Sequence, residues 1–399
     1  MRAHEFIIEN KTLLEGGNVV ITTTAGKEVP AQKVDLSTVD RSQFAKDMLK
    51  AFNVLDQKYQ QMHGEPLWPD KSIFKDGHVF NGSSEAMFNN SISDEKYVSV
   101  KPSVGDIDIT VPGDTKETLW KLLKTLTESK LTSNVWYLGD NRPNFSPGNE
   151  QINSIFRYMY APGETVNVQV DFEFLPYDQG KPTEFSKFGH SSHWDDLSTG
   201  IKGVHHKYIL RALAGGSSIR DDIVIMTNTA TPAKPRPKKM PSAPTMMAFF
   251  IGKGVRIKYE QQFMPDGTPW IYEGKQVYKE IPTKDSHYEG DLSNIFKLFF
   301  GEPKSPAEVK KLWSFTGILE LMKQYHSPEQ IKSTLQRLLD LYWAPYAQGL
   351  ERNNPELDNK IKSAGWDKVL KVFPAAEQFN TEEMKKVFYD KYKMSGDVS

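Results

Sequence analysis

Two stretches of this chain alternate apolar and polar residues with a period of two. In GDIDITVPGD, Ile107, Ile109 and Val111 fall on one side and Asp106, Asp108 and Thr110 on the other. In VNVQVDFEF, Val166, Val168, Val170, Phe172 and Phe174 face away from Asn167, Gln169, Asp171 and Glu173. Successive strand side chains point to opposite faces, so each stretch predicts a strand with one apolar face. SNVWYLG and INSIFRYMYA are further strand candidates. Helical spacing governs residues 40–62, where Phe44, Met48, Phe52 and Leu55 share a face behind a cap at Asp40 or Ser42. DTKETLWKLLKTLTES predicts a second helix capped at Asp114 or Thr115, and IKGVHHKYILRALAG a third that stops at Gly215 and Gly216. HVFNGSSEAMF predicts a short strand, a Gly-Ser turn and a helix start.

The order of these elements predicts an α+β fold with a mixed β-sheet core, a β-rich middle insertion and a helical C-terminal region. The expected divisions are an N-terminal region with a long helix (1–74), a candidate catalytic domain (75–230), a Pro/Lys linker with a β-rich segment (231–300) and a helical domain (301–399). TPAKPRPKKMPSAP supplies the linker, and the C-terminal periodicity breaks near Ser327, Pro355 and Pro374.

Composition narrows the field. At 399 residues the chain is long enough for two or three domains. The 50 basic and 51 acidic residues nearly cancel, so any nucleic-acid binding must be local. The absence of cysteine excludes disulfides, thiolate metal sites and a cysteine nucleophile. No apolar run reaches the roughly 20 residues of a membrane span, and the N-terminus lacks a signal-peptide core. A cytoplasmic protein is expected.

The alternation also carries chemistry. Aspartate suits strands poorly, and two carboxylates on one strand face raise each other's pKa unless a divalent cation or a basic side chain lies between them. Asp106, Asp108 and Asp171, on the open faces of neighbouring strands, make a hard-oxygen site suited to Mg²⁺ (or Mn²⁺). Two ions ~3.5–4 Å apart serve in-line displacement, with Asp106 and Asp108 bridging both and Asp171 holding the one nearer the attacking hydroxyl. In FNGSSEAMF, glycine allows close backbone approach and the helix start offers N–H groups to a phosphate.

FNGSS, GDIDI and VDFEF together resemble the three motifs of the nucleotidyltransferase superfamily related to DNA polymerase β. The resemblance covers roughly residues 75 to 215. It implies that Gly82 and Ser83, with the adjoining Ser84, bind nucleotide phosphates and that Asp106, Asp108 and Asp171 bind metal. Between Ser83 and Asp106 lie 22 residues, more than is usual in that family, which an inserted hairpin or flap would explain. A basic residue after the third acid often meets the triphosphate in such enzymes, which points to Lys202 and Lys207.

Other motifs read as structural. His190, His193, Asp195, Asp196, His205 and His206 fit no standard zinc spacing and are read as a polar loop feeding a helix. KPRPKK is extended and basic, either a solvated linker or a contact for a polyanion such as RNA. Trp313, Phe315, Tyr342, Trp343 and Tyr346 sit at helical spacing and are expected in a core. The expected function is metal-dependent transfer of an NMP from an NTP donor to an RNA end, a nucleotide, a small molecule or a protein, without a membrane. Its alternative is a non-catalytic nucleotide- or partner-binding module of the same fold.

Overall fold

A computed structural model describes residues 19–22, 28–75, 77, 79–128, 136–138, 151–190, 192–216, 222–239, 245–285, 287–347 and 355–379. The protein is a mixed α+β chain with several small sheets, divided into two compact units, Met1–Gly203 and Val204–Ser399.

The two alternating segments build the first unit. Asp106–Pro112 lies parallel to Glu164–Leu175, which pairs antiparallel with Gln151–Ala161, and that strand with Trp136–Leu138. The rest of the SNVWYLG candidate lies outside the described residues. The hairpin between the two long strands turns at Pro162 and Gly163, where Gly163 has φ +83°, a left-handed backbone that glycine adopts at no steric cost. Ile107, Ile109, Val111, Val168, Val170 and Phe172 are fully buried. They share one core with Phe44, Met48 and Phe52 of the Arg41–His63 helix and with Leu119, Leu122 and Leu123 of the Lys116–Glu128 helix. Each such side chain contributes about 1.5–3 kcal/mol on leaving water, so the apolar face fixes the register. A one-residue slip would turn the aspartates inward and the isoleucines outward.

The long helix begins where its cap was expected. Gln43 N–H donates to Asp40 Oδ1 at 2.6 Å. The segment between the Gly-Ser turn and the DIDI strand is neither hairpin nor flap; it is helical, Gly82–Phe88 followed by Asp94–Val100. Arg41, 5% exposed, ties this insertion to the long helix. Its Nη1 donates to Ile92 O and Asp94 Oδ1, both at 2.7 Å, and its Nη2 to Ala86 O at 3.0 Å and Asn89 O at 2.9 Å. Its guanidinium also lies 4.7 Å over the Tyr97 ring. One planar, five-donor cation is suited to serve several carbonyls at a helix end.

In the second unit, Ile223–Met226 runs parallel to Lys275–Glu280, which pairs antiparallel with Tyr259–Gln261. Met247–Phe250, Gly254–Ile257 and Tyr288–Glu289 form another small sheet. Helices follow over Leu292–Phe300, Phe315–Tyr325, Pro328–Ala347 and Pro355–Val372, so the expected break at Ser327 falls between two helices and Pro355 opens the last of them. Trp343, Tyr342 and Phe315 are core residues. Among the described residues no helix is long and apolar enough to cross a membrane.

Replacing Arg41 with alanine strands buried carbonyls and should cost about 3 kcal/mol. Thermal unfolding should show the loss, and Arg41→Lys should recover only part of it. An Arg41→Ala protein that melts with the wild type would refute the clamp.

Candidate metal centre

The parallel pairing sets Asp108 opposite Asp171 and Asp106 opposite Gln169. One carboxylate oxygen from each of Asp106, Asp108 and Asp171 lies within 4.8 Å of the others. Asp106 and Asp108 are half-buried, whereas Asp171 is 4% exposed. The Asp171 carboxylate accepts from Asn153 Nδ2 and from Gln169 Nε2, each at 2.8 Å. Asn153 comes from the neighbouring antiparallel strand, where it pairs directly with Asp171. Burial pushes the Asp171 carboxyl up to about 7, the Asp106 charge adds to the rise, and the two amides oppose it. Glu173 on the same strand raises it further.

The Gly-Ser turn is built against this cluster. Asn81 N–H donates to Asp108 O at 3.1 Å. Gly82 has φ +55°, a left-handed backbone that favours glycine, and a Cβ there would lie 2.8 Å from Asp108 Oδ2 and displace that carboxylate. Ser84 is buried; it accepts from Asp108 N–H at 3.0 Å and donates to Asp106 O at 3.4 Å. Its hydroxyl thus fastens the turn to the strand, a different use from the phosphate contact expected for it. Ser83 Oγ instead accepts from Lys101 Nζ.

Lys101 is the basic side chain that the paired aspartates called for. Burial lowers its pKa, the charges of Asp106 and Asp108 hold it up, and Lys202 and Lys33 lower it again. Two further lysines therefore stand within electrostatic reach of Lys101 and its two acids. Lys202 is half-buried in the segment ahead of the Gly203–Gly216 helix. Lys207 is half-buried on that helix, in the second unit.

A second buried lysine supports the turn. Lys187, 7% exposed, donates to Phe80 O and, at 3.3 Å, to Asn81 Oδ1, and it lies 3.6 Å from Glu85 Oε2. Burial lowers its pKa against Glu85 and Glu173. Asn81 Nδ2 in turn donates to Glu173 Oε2. Asn81, Lys101, Asn153, Gln169, Glu173 and Lys187 were all absent from the residues expected at the site. Only Lys101 carried a sequence signal, standing five residues before Asp106.

The histidine-rich stretch gathers no ligand group among the described residues. His205 Nδ1 lies 2.8 Å from Tyr342 Oη and His206 Nε2 is 2.7 Å from Leu312 O, both as buried helix-packing contacts. A cavity of about 480 Å³ lined by Pro69, Pro112, Phe174 and Tyr177 lies at the far end of the same strands. At ~3.3 Å per residue Pro112 lies about 20 Å along its strand from Asp106 and Phe174 about 10 Å from Asp171, so the cavity opens at the other end of the strands from the acids.

No protein-family profile matches the chain, and no curated protein is significantly similar to it. The case for a metal rests on the donors. Three carboxylates converge without a nitrogen or sulfur ligand among them, and one is buried beside two other acids, its charge supported among the described residues by two amides. Such a set suits a hard divalent cation.

The raised Asp171 pKa gives a signed prediction. Its contribution to stability is fully present below the ordinary carboxyl range near pH 4 and is lost as pH rises through about 7. Without metal, wild type should lose melting temperature relative to Asp171→Asn between pH 5 and pH 8. A divalent ion at a hundred times its Kd at pH 8 should restore about 2.7 kcal/mol there, and the same concentration should restore less at pH 6. Equal pH profiles for the two proteins would contradict this.

Proposed function

We propose that the protein is a nucleotidyltransferase that moves an NMP from an NTP to a hydroxyl or phosphate acceptor and releases pyrophosphate. The observation that supports it most is the convergence of Asp106, Asp108 and Asp171 beside a turn whose glycine packs against one of them. Bound to the three carboxylates, Mg²⁺ or Mn²⁺, as two ions, would polarise the α-phosphate and acidify the attacking hydroxyl.

The chain's own residues supply the rest. Asp106 and Asp108 provide the fixed negative charge that holds the cations, and the apolar backing of their strand keeps them in place. Asp171, held beside the cations, accepts the proton of the acceptor hydroxyl. The hydroxyl oxygen bonds to the α-phosphorus as the bond to the β-phosphate's bridging oxygen breaks, and pyrophosphate leaves with that electron pair. The Gly82–Ser83 backbone receives the donor's phosphates, while Lys101 and Lys202 offset charge on the leaving pyrophosphate. Chemistry of this kind depends on positioning and charge, so the site specifies the donor more than the acceptor.

Pyrophosphate release should be measured with each of the four NTPs and Mg²⁺ or Mn²⁺, offering RNA, nucleotide, small-molecule and protein acceptors. Wild type should turn over at least one NTP, and Asp106→Ala/Asp108→Ala should lose at least about a hundredfold. NTP binding without turnover for any acceptor would favour a non-catalytic nucleotide-binding module. Neither binding nor turnover would overturn the reading.

A further inference from the structure

From Ile223 to Tyr259 the sequence holds seven basic residues and no acidic one, in a chain whose formal net charge is −1. Four of the seven, Lys234, Arg236, Lys238 and Lys239, lie on one short segment. The segment is not a loose linker. Thr227 N–H donates to Arg236 O at 2.9 Å, Lys238 N–H donates to Ile225 O at 2.8 Å, and Met226 pairs with Pro237. Residues 236–238 thereby extend the sheet as an antiparallel edge beside Ile223–Met226, and residues 231–239 are all exposed.

The register defines what shares a face with that edge. Ile225 lies opposite Tyr278, and Tyr278 opposite Gln261. Lys238, bonded to Ile225, falls in this row, and its Nζ meets Glu280 Oε2 at 2.7 Å. Phe263, two residues past Gln261, belongs to the same face by alternation and is 56% exposed. Cations therefore stand along one edge and an open aromatic ring at the other, three strand spacings or about 14 Å away. Among the described residues no carboxylate pairs with Lys234, Arg236 or Lys239.

The edge is unsuited to adding a protein strand. Arg236 and Lys238 spend their backbone groups inward, and the outward position is Pro237, which has no N–H to offer. What remains is a row of side-chain cations at alternate positions, about 6.6 Å apart in extended chain. That spacing is comparable to the separation of consecutive phosphates along an extended single strand, and Phe263 offers a face for a base.

We propose that this face of the second unit binds single-stranded nucleic acid, with phosphates on Lys234, Arg236 and Lys238, whose pairing with Glu280 is exposed and exchangeable, and a base stacked on Phe263. The inference goes beyond the nucleotidyl-transfer reading and does not depend on it, because binding is measured without NTP.

The test is fluorescence anisotropy of a labelled oligouridine with the full-length protein at increasing KCl. Wild type should bind with a Kd on the order of micromolar at about 50 mM KCl. Lys234→Glu/Arg236→Glu/Lys238→Glu should weaken binding at least tenfold and shrink the slope of log K against log salt by about 2, because three phosphate contacts are lost. Phe263→Ala should weaken it about fivefold or more. All four side chains are exposed, so an unchanged melting temperature certifies the fold of both variants. Absence of binding at low salt, or a triple variant that binds like wild type, would overturn the proposal and leave the cations as protection of a sheet edge. So would binding to anionic phosphatidylserine vesicles without binding to the oligonucleotide.

Discussion

Everything around the candidate metal centre answers one electrostatic constraint: three carboxylates are held close together and cannot move apart. The parallel strands that carry them are fastened from behind by fully buried Ile107, Ile109, Val170 and Phe172. The hydrophobic term there is worth several side chains of burial, far more than the repulsion between two partly solvated charges. The repulsion therefore does not relax by rearrangement. It surfaces instead as a carboxyl raised to about 7 at Asp171 and as positive charge gathered nearby at Lys101.

The supporting groups divide by what they hold. Asn153 and Gln169 orient the Asp171 carboxylate with two amide donors that leave its charge only partly satisfied. Ser84 and Asn81 bond the Gly-Ser turn to the DIDI strand, and Lys187 holds the carbonyl just before that turn. The helical insertion, pinned by Arg41, ends at Lys101, whose ammonium reaches Ser83. The extra length between turn and strand is thus an element that brings a cation to the acids. Its cost is a buried guanidinium with four carbonyl and carboxylate partners to satisfy.

Much of this could be read from the chain, for identifiable reasons. Strands with one apolar side write their period into the sequence, so DIDI and VDFEF exposed both their faces and their shared acidic side. Asp40 announced the long helix because a cap needs a short side-chain acceptor at that position. Breaks at Ser327 and Pro355 were legible because proline excludes helix interiors. Lys187 was not, and Lys101 showed only its place five residues before Asp106, since a lysine's burial depends on which chain segments close over it. Asn153 was silent because cross-strand register is a tertiary property, set here by the hairpin at Gly163. KPRPKK suggested a linker because prolines erase alternation, yet two backbone hydrogen bonds suffice to seat it on a sheet edge.

The central claim is that Asp106, Asp108 and Asp171 form a divalent-cation site. Electron paramagnetic resonance of Mn²⁺ titrated into the protein near pH 8 tests it most directly, because bound and free ion are counted separately. The account predicts saturable Mn²⁺ binding by wild type that Asp171→Asn and Asp106→Ala each abolish or weaken severely. Mn²⁺ that stays free in wild type, or binding indifferent to both substitutions, would contradict it.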